Sequence, residues 1–445
     1  MSLIITIFQW LLGALVSIIA AAFIILYIRG AFRWRSLFHI KQALSPSDPR
    51  FATVLKSLSG SLETQGTVSD FWDTADEIQQ ARLAAIARAE RSIQFETFMM
   101  TPGKRADDFA DALARKVTEG VRVQLLVDSW GTRTLKKKYW QRLRSVGAEV
   151  VFFNPFDWQA PANYAGRTHR KLLIIDDSFA LVGGAGISNL WDGTEKDDDT
   201  KPWFDIEFST EGTVVNALSV IFQAHWQGHK RQGKVTHIDM EMVYGSLAEK
   251  AEEQGSQEKS DSTILITPGT KPSYRNSPIE SVKQVLIASA RERIWLSSPY
   301  FLPNMSTRSL LIAAKQHGVD VRILTTSDRS DKKPVYYASY EVYGDLLKAG
   351  IQIFEYQPSM LHAKMLLIDS KWTNTGSANL DYRSFLHNDE LDIVTDSQNL
   401  LEKIEQTFEK GFSQSEQITL QQWKQRSWLK HRILGNAVRL IQWQL

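Results

Sequence analysis

The sequence predicts an α/β protein: two similar α/β/α sandwich halves related by a pseudo-twofold, preceded by one N-terminal transmembrane helix. Three observations predict it. The first is a repeated motif. "THRKLLIIDD" (168–177) carries His169, Lys171 and Asp176 at offsets 0, +2 and +7, and "LHAKMLLIDS" (361–370) carries His362, Lys364 and Asp369 at the same offsets. The second is the alternation of apolar strand-like runs with helical patterns around each motif, which implies mainly parallel sheet with helices on both faces. The third is the first 28 residues, which contain no Asp, Glu, Lys, Arg or His.

That charge-free run is long enough to cross a bilayer core of about 30 Å. A cleaved signal peptide would want a positive start and a shorter apolar stretch, and the sequence offers neither, although "AAA" at 20–22 supplies small residues. Arg29, Arg33, Arg35 and Lys41 follow directly and nothing positive precedes. The positive-inside rule then leaves the bulk of the chain on the cytoplasmic side. The expected topology is a membrane spanned once, with the two halves on the cytoplasmic side.

The expected organisation is an anchor (1–30), a first half (31–239), a linker (240–263) and a second half (264–445). The first half reads as a helix over about 70–90, a strand in "SIQFETFMM", a helix near 106–119, a strand in "VRVQLLVD", a helix near 134–146 and a strand in "AEVVFFN". The motif strand, "SFALVGG", a strand near 204–209 and a helix near 214–230 complete it. The second half repeats the grammar: helix 277–292, "RIWLSSPYF", helix 306–317, "VDVRILTT", helix 337–349, "IQIFEYQ", the second motif strand, "KWTNTGS", a strand near 390–395 and a helix near 399–412. Charged and Ser/Gln-rich residues with few large apolar ones make 240–263 a solvated connector. The polar insertion at 191–203 reads as a solvated loop, with cation binding by its acidic groups the rival reading.

Composition narrows the chemistry. With 445 residues, 43% hydrophobic, there is room for two cores. A formal net charge of +2 argues against holding nucleic acid by bulk charge, so no nucleic acid is expected as a partner. The chain has no cysteine, which removes disulfides, thiolate nucleophiles and Cys-ligated zinc.

Each motif supplies half of a site. On an extended strand, residues at offsets 0 and +2 share a face, so His and Lys look into one pocket. The Lys ammonium can hold an anion such as phosphate. The Asp lies further along and can accept a proton from a His ring nitrogen, of its own motif or of the partner motif. Two such units place two histidines and two lysines around one anion. That set suits phosphodiester transfer. One histidine attacks phosphorus while the other protonates the leaving alcohol and then deprotonates the incoming one. The lysines and Asn379, from "GSAN", stabilise the oxygens that gain charge. This chemistry calls for no cofactor and no metal.

The paired signature resembles that of the phospholipase D superfamily. "HAKMLLID…GSANLDYRSFLHNDE" is similar to the second catalytic motif of bacterial cardiolipin synthases, and "SSPYFLPN" resembles the segment that opens their second half. The likeness covers most of residues 70–415. It implies the superfamily fold, a phosphohistidine intermediate, a membrane and phospholipid substrates, phosphatidylglycerol first among them. It also suggests His169 as nucleophile and His362 as acid/base. No obligate protein partner is implied. The first half departs from the pattern: the position equivalent to Asn379 is Gly186, in "GGAGISN", which leaves Asn189 as a substitute donor. Asn379, Asn189 and Glu390 are the expected substrate-binding set. A phospholipid hydrolase, a nucleic-acid phosphodiesterase and a non-catalytic lipid-binding protein are the competing classes.

Other features have plainer readings. Glu96, Glu207 and Glu390 fall on strands near the site, as partners of the histidines or in simple ion pairs. His225 and His229, spaced i, i+4 in "AHWQGHK", lack the Glu of a zinc protease and read as surface or packing residues. The C-terminal "QQWKQRSWLKHRILGNAVRLIQWQL" mixes Trp with Lys and Arg, which suits either an anionic membrane surface or packing on the second half.

Overall fold

A computed structural model describes residues 2–26, 43–158, 165–193, 201–230, 262–269 and 277–442. Its centre is one 15-stranded sheet. The first half contributes β1 (Leu62–Trp72), β2 (Ser92–Thr97), β3 (Arg122–Asp128), β4 (Glu149–Phe153), β5 (Leu172–Ile175), β6 (Phe179–Gly183) and β7 (Glu207–Glu211). The second contributes β8 (Ser262–Gly269), β9 (Arg293–Ser297), β10 (Asp320–Thr326), β11 (Gln352–Tyr356), β12 (Met365–Ile368), β13 (Trp372–Gly376), β14 (Glu390–Thr395) and β15 (Ser415–Ile418). The spatial order is β15-β11-β10-β9-β12-β13-β14-β8-β1-β7-β6-β5-β2-β3-β4. Leaving β15 aside, the order reads the same outward from β8 and β1 in both directions. This is the pseudo-twofold. The two central strands pair antiparallel, with Leu62 opposite Ile266 and Gly66 opposite Ser262.

The sheet is less parallel than the alternation of elements suggests. Only β2–β3–β4 and β9–β10–β11 run parallel. The motif strands turn back through tight hairpins, β5 to β6 and β12 to β13, and so pair antiparallel. The expected helix over 70–90 begins only at Ala75, because Phe71 and Trp72 finish β1 and Thr74 caps the helix through the backbone N–H of Glu77. The helix Phe51–Ser59 also precedes it. The expected linker, 240–263, lies outside the described residues as far as 261, and Ser262 and Thr263 open β8.

Helices cover both faces. On one face Thr213–Lys230 and Gln398–Ser413 bring Leu218, Phe222, Trp226, Leu400, Ile404 and Phe408 into a single core shared by the halves. On the other, Ala75–Arg88 and Lys104–Thr118 cover the first half, and Pro278–Ser289, Met305–Gln316 and Lys333–Lys348 cover the second. Full burial of a side chain such as Phe222 or Phe408 contributes about 1.5–3 kcal/mol. The shared core therefore fixes the halves to each other as well as folding each. At the N-terminus, the helix Ser2–Leu26 contains a span, Leu3–Ile24, of mean hydropathy 2.3 with none of it buried. Among the described residues it is the one helix long and apolar enough to cross a membrane.

Candidate active site

The motifs meet where the halves meet. His169 and Lys171 stand in the extended segment just before β5, and His362 and Lys364 just before β12, rather than within the strands. A bridge between the halves holds each segment. The His169 backbone N–H donates to Asp389 O at 2.8 Å, and the His362 N–H donates to Phe204 O at 2.7 Å. Asp389 and Phe204 immediately precede Glu390 and Asp205. The bridges thereby deliver a carboxylate from the opposite half to each ring: His169 Nδ1 lies 3.0 Å from Glu390 Oε2, and His362 Nδ1 lies 2.7 Å from Asp205 Oδ2. A proton on Nδ1 is donated to the carboxylate and Nε2 keeps its lone pair.

These carboxylates hold the place expected of Asp176 and Asp369, which the structure puts elsewhere. Seven residues of extended chain carry each motif Asp about 20 Å from its His. There Asp176 and Asp177, and likewise Asp369 and Ser370, take positive φ and close the hairpin turns, a conformation Asp tolerates. The Asp176 carboxylate accepts the backbone N–H groups of Glu90, Arg91 and Ser92, and Asp369 accepts those of Arg291, Glu292 and Arg293. Both clamp the hairpin to the start of the neighbouring strand.

Burial and charge define the pocket. Both histidines and both lysines are at least nine-tenths buried. Each lysine ammonium donates to the backbone carbonyl of its own motif histidine. Desolvation lowers His169 to about 4 and His362 to about 3, against the pull of Glu390 and Asp205. It lowers Lys171 to about 7, with Lys364 repelling it, and Lys364 to about 8. Against the cost of burial, their partner histidines first and then Lys171 and Lys364 hold Glu390 down at about 2 and Asp205 lower still. Two lysines buried together beside both histidines offer donors that an anion would satisfy.

The amide donors are unequal. Asn379 is buried, its backbone N–H donates to Ser384 Oγ, and one side-chain terminal atom, Oδ1, has no partner. In the first half, Gly186 has no room for an asparagine: an added Cβ would lie 2.8 Å from Met99 O and 3.0 Å from the Trp191 ring. Asn189 does not replace it. Its Oδ1 accepts the Arg105 N–H at 3.3 Å and lies against Gly103, at the start of a helix. Trp191 occupies that side instead. It donates to Asp205 Oδ2 at 3.0 Å and meets His362 edge-on at 5.4 Å, while Phe98 meets His169 at 5.3 Å.

The remaining acids and histidines form supports. Arg82 pairs with Glu207 and also donates to the carbonyls of Ala185 and Gly186; Lys283 and Asp392 are its counterparts across the twofold. His225 is not a surface residue. Its Nδ1 lies 2.7 Å from Glu96 and its Nε2 3.0 Å from Asp389, and those carboxylates raise its pKa although burial opposes them. The His225 ring thus ties β2 to the bridge that serves His169. In the polar insertion, Asp192 pairs with Arg105, and 194–200 lie outside the described residues. No cluster of His, Cys, Asp and Glu suited to a metal occurs among the described residues.

Residues 83–199 and 284–411 match the family described as "Cardiolipin synthase, PLD-like domain". One matched stretch falls in each half. The chain belongs to the phospholipase D superfamily, beside the bacterial cardiolipin synthases. It is an enzyme of that superfamily's phosphatidyltransferase type. It is 32% identical to cardiolipin synthase 2 of Bacillus anthracis over 395 residues, covering 88% of this chain and 73% of that protein. It is 30% identical to the cardiolipin synthase of Geobacillus kaustophilus, covering 82% and 70%. Among solved structures, the phosphatidylserine synthase of Haemophilus influenzae superposes with a TM-score of 0.66 at 13% identity, over 88% of this chain and 99% of that one, a likeness of fold.

Proposed function

We propose that this phospholipase D-type enzyme forms cardiolipin from two molecules of phosphatidylglycerol through a phosphohistidine. The crossed pairing carries the reading: each histidine takes its carboxylate from the opposite half, so both rings serve one pocket. His169, neutral and held through Nδ1, attacks phosphorus from Nε2. Glu390 stabilises the imidazolium that forms, and a P–N bond replaces a P–O bond. His362, protonated beside the bound anion, gives its proton to the departing glycerol. The neutral ring then takes the proton of an incoming hydroxyl, which displaces His169 and restores the P–O bond. Lys171, Lys364 and the Asn379 amide hold the phosphoryl oxygens throughout. The order of the two histidines follows the family resemblance. One phosphodiester replaces another, so no nucleotide is needed.

The apolar helix at Leu3–Ile24 supports a single-pass anchor in the bacterial inner membrane, and the arginines that follow it favour a cytoplasmic catalytic body. Purified full-length protein given phosphatidylglycerol in mixed micelles, without nucleotide, should yield cardiolipin and glycerol by mass spectrometry. Phosphatidic acid as the sole lipid product would make it a hydrolase. No lipid turnover, with cleavage of single-stranded DNA instead, would overturn the proposal.

A further inference from the structure

The last part of the chain combines two faces. Residues 420–445 include Lys424, Arg426, Lys430, Arg432 and Arg439 and no acidic residue. Within them, a π-helical turn, Trp428–Gly435, runs into the short helix Asn436–Arg439. One face packs on the helix Lys333–Lys348. Trp423 donates to Tyr340 O at 2.8 Å, Arg426 pairs with Glu341, His431 lies 4.6 Å from the Tyr340 ring, and Val438 is buried among Leu302, Val335 and Ala338. The other face is bare. Trp428 is 66% exposed, Leu429 65% and Leu440 61%, with Ile433, Leu434 and Ile441 also exposed. Lys424, Lys430 and Arg432 are exposed among them.

The strip rises toward the site. Trp423 stands beside Gly344, Gly435 beside Tyr337, and Val438 beside Val335, so the chain climbs to the N-terminal end of that helix. This is the edge of the sheet at which β9 and β10 end and where His362 and Lys364 stand: Ser297 Oγ, at the end of β9, donates to Ala363 O between them. Leu302, against Val438, donates its N–H to Leu380 O, next to Asn379.

We propose that the exposed face of residues 428–441 docks in the headgroup layer of an anionic bilayer and holds the pocket at the depth of its lipid substrate. This rests on the phospholipid reading above, and deepens it. Amphipathic surfaces of this kind gain both from apolar burial and from attraction to anionic headgroups. Charge decides the occupant. A second copy would set one cationic strip against another, whereas anionic lipid neutralises it.

The absence of cysteine makes the test clean. Full-length Leu429→Cys, labelled with an environment-sensitive fluorophore, is reconstituted in vesicles of phosphatidylglycerol and phosphatidylcholine, with Lys138→Cys as a control on an exposed site of the first half. The label at 429 should shift to the blue and be quenched by brominated lipid, and adding Lys430→Glu and Arg432→Glu should reverse both. The label at 138 should stay in water. Unlabelled Trp428→Ser/Leu429→Ser should lose about tenfold in kcat/KM on bilayer phosphatidylglycerol, yet turn over a monomeric short-chain analogue as before. Quenching at 429 without any lipid turnover would support docking while sinking the catalytic reading. A label that stays in water in anionic vesicles would overturn the docking proposal. So would a blue shift that appears in detergent alone and grows with protein concentration, which would mean self-association.

Discussion

The two kinds of carboxylate around each motif can be separated by substitution. Glu390 and Asp205 touch the rings, whereas Asp369 touches only backbone. Glu390→Gln keeps the shape but removes the charge that supports an imidazolium. We expect kcat to fall about 10²- to 10⁴-fold with melting temperature shifted by no more than a few degrees. Asp369→Ala forfeits three backbone hydrogen bonds and a residue suited to φ of 51°. That should cost about 3 kcal/mol or more of stability, while the fraction that remains folded keeps kcat within about twofold. Asp369→Asn, which tolerates the same backbone, should be milder. Turnover by fully folded Asp369→Ala falling with that of Glu390→Gln would refute the division. Such a division is hard to read in sequence. The motif Asp is the nearest acid along the chain, whereas Glu390 is 221 residues from His169 and Asp205 is 157 from His362. Residue spacing shows which groups share a strand and says nothing of what folds against them.

Among the elements, the helices and strands around each motif were legible because their apolar periodicity is strong. β1 and β8 were not. "LETQGTVSDFW" holds few large apolar residues in its first half, and Ser262 and Thr263 lie at the end of a polar stretch. Their strand character comes from pairing with each other and with β7 and β14, which local sequence does not express. The buried Arg82–Glu207 pair is another feature that only packing creates. Arg82→Met leaves the Glu207 carboxyl without its partner in the interior, which should cost about 3–5 kcal/mol by chemical denaturation. Arg82→Met/Glu207→Leu should recover most of it. The shortfall, about 1–3 kcal/mol, reports the carbonyls of Ala185 and Gly186 left without their donor. A double variant no more stable than the single would show that the pair was not the dominant contact.

At the scale of the whole molecule, the pocket is one object made of two halves. His169→Ala and His362→Ala should each remove nearly all turnover, and the double variant should be little worse than either, because groups that act as a unit are not additive. Independent, multiplying losses measured by lipid product formation would mean two separate sites. The pseudo-twofold could be inferred from the repeated motifs, but the crossing of carboxylates could not, since it depends on backbone bridges at Thr168–Asp389 and Phe204–Leu361.

The central β1–β8 pairing has a consequence for solubility and for ancestry. Along this seam each half hides a free edge of the other, Leu62–Gly66 of β1 against Ser262–Ile266 of β8. An uncovered edge of that length offers a ladder of unsatisfied amides and carbonyls to any passing strand. A half released from its neighbour would be incomplete in its chemistry and adhesive along one side. A second copy of the same half, turned about the same axis, is the partner whose register would come closest to closing it. The duplication written in the sequence thus reads as a dimer made permanent, with the linker removing the concentration dependence that two separate chains would face.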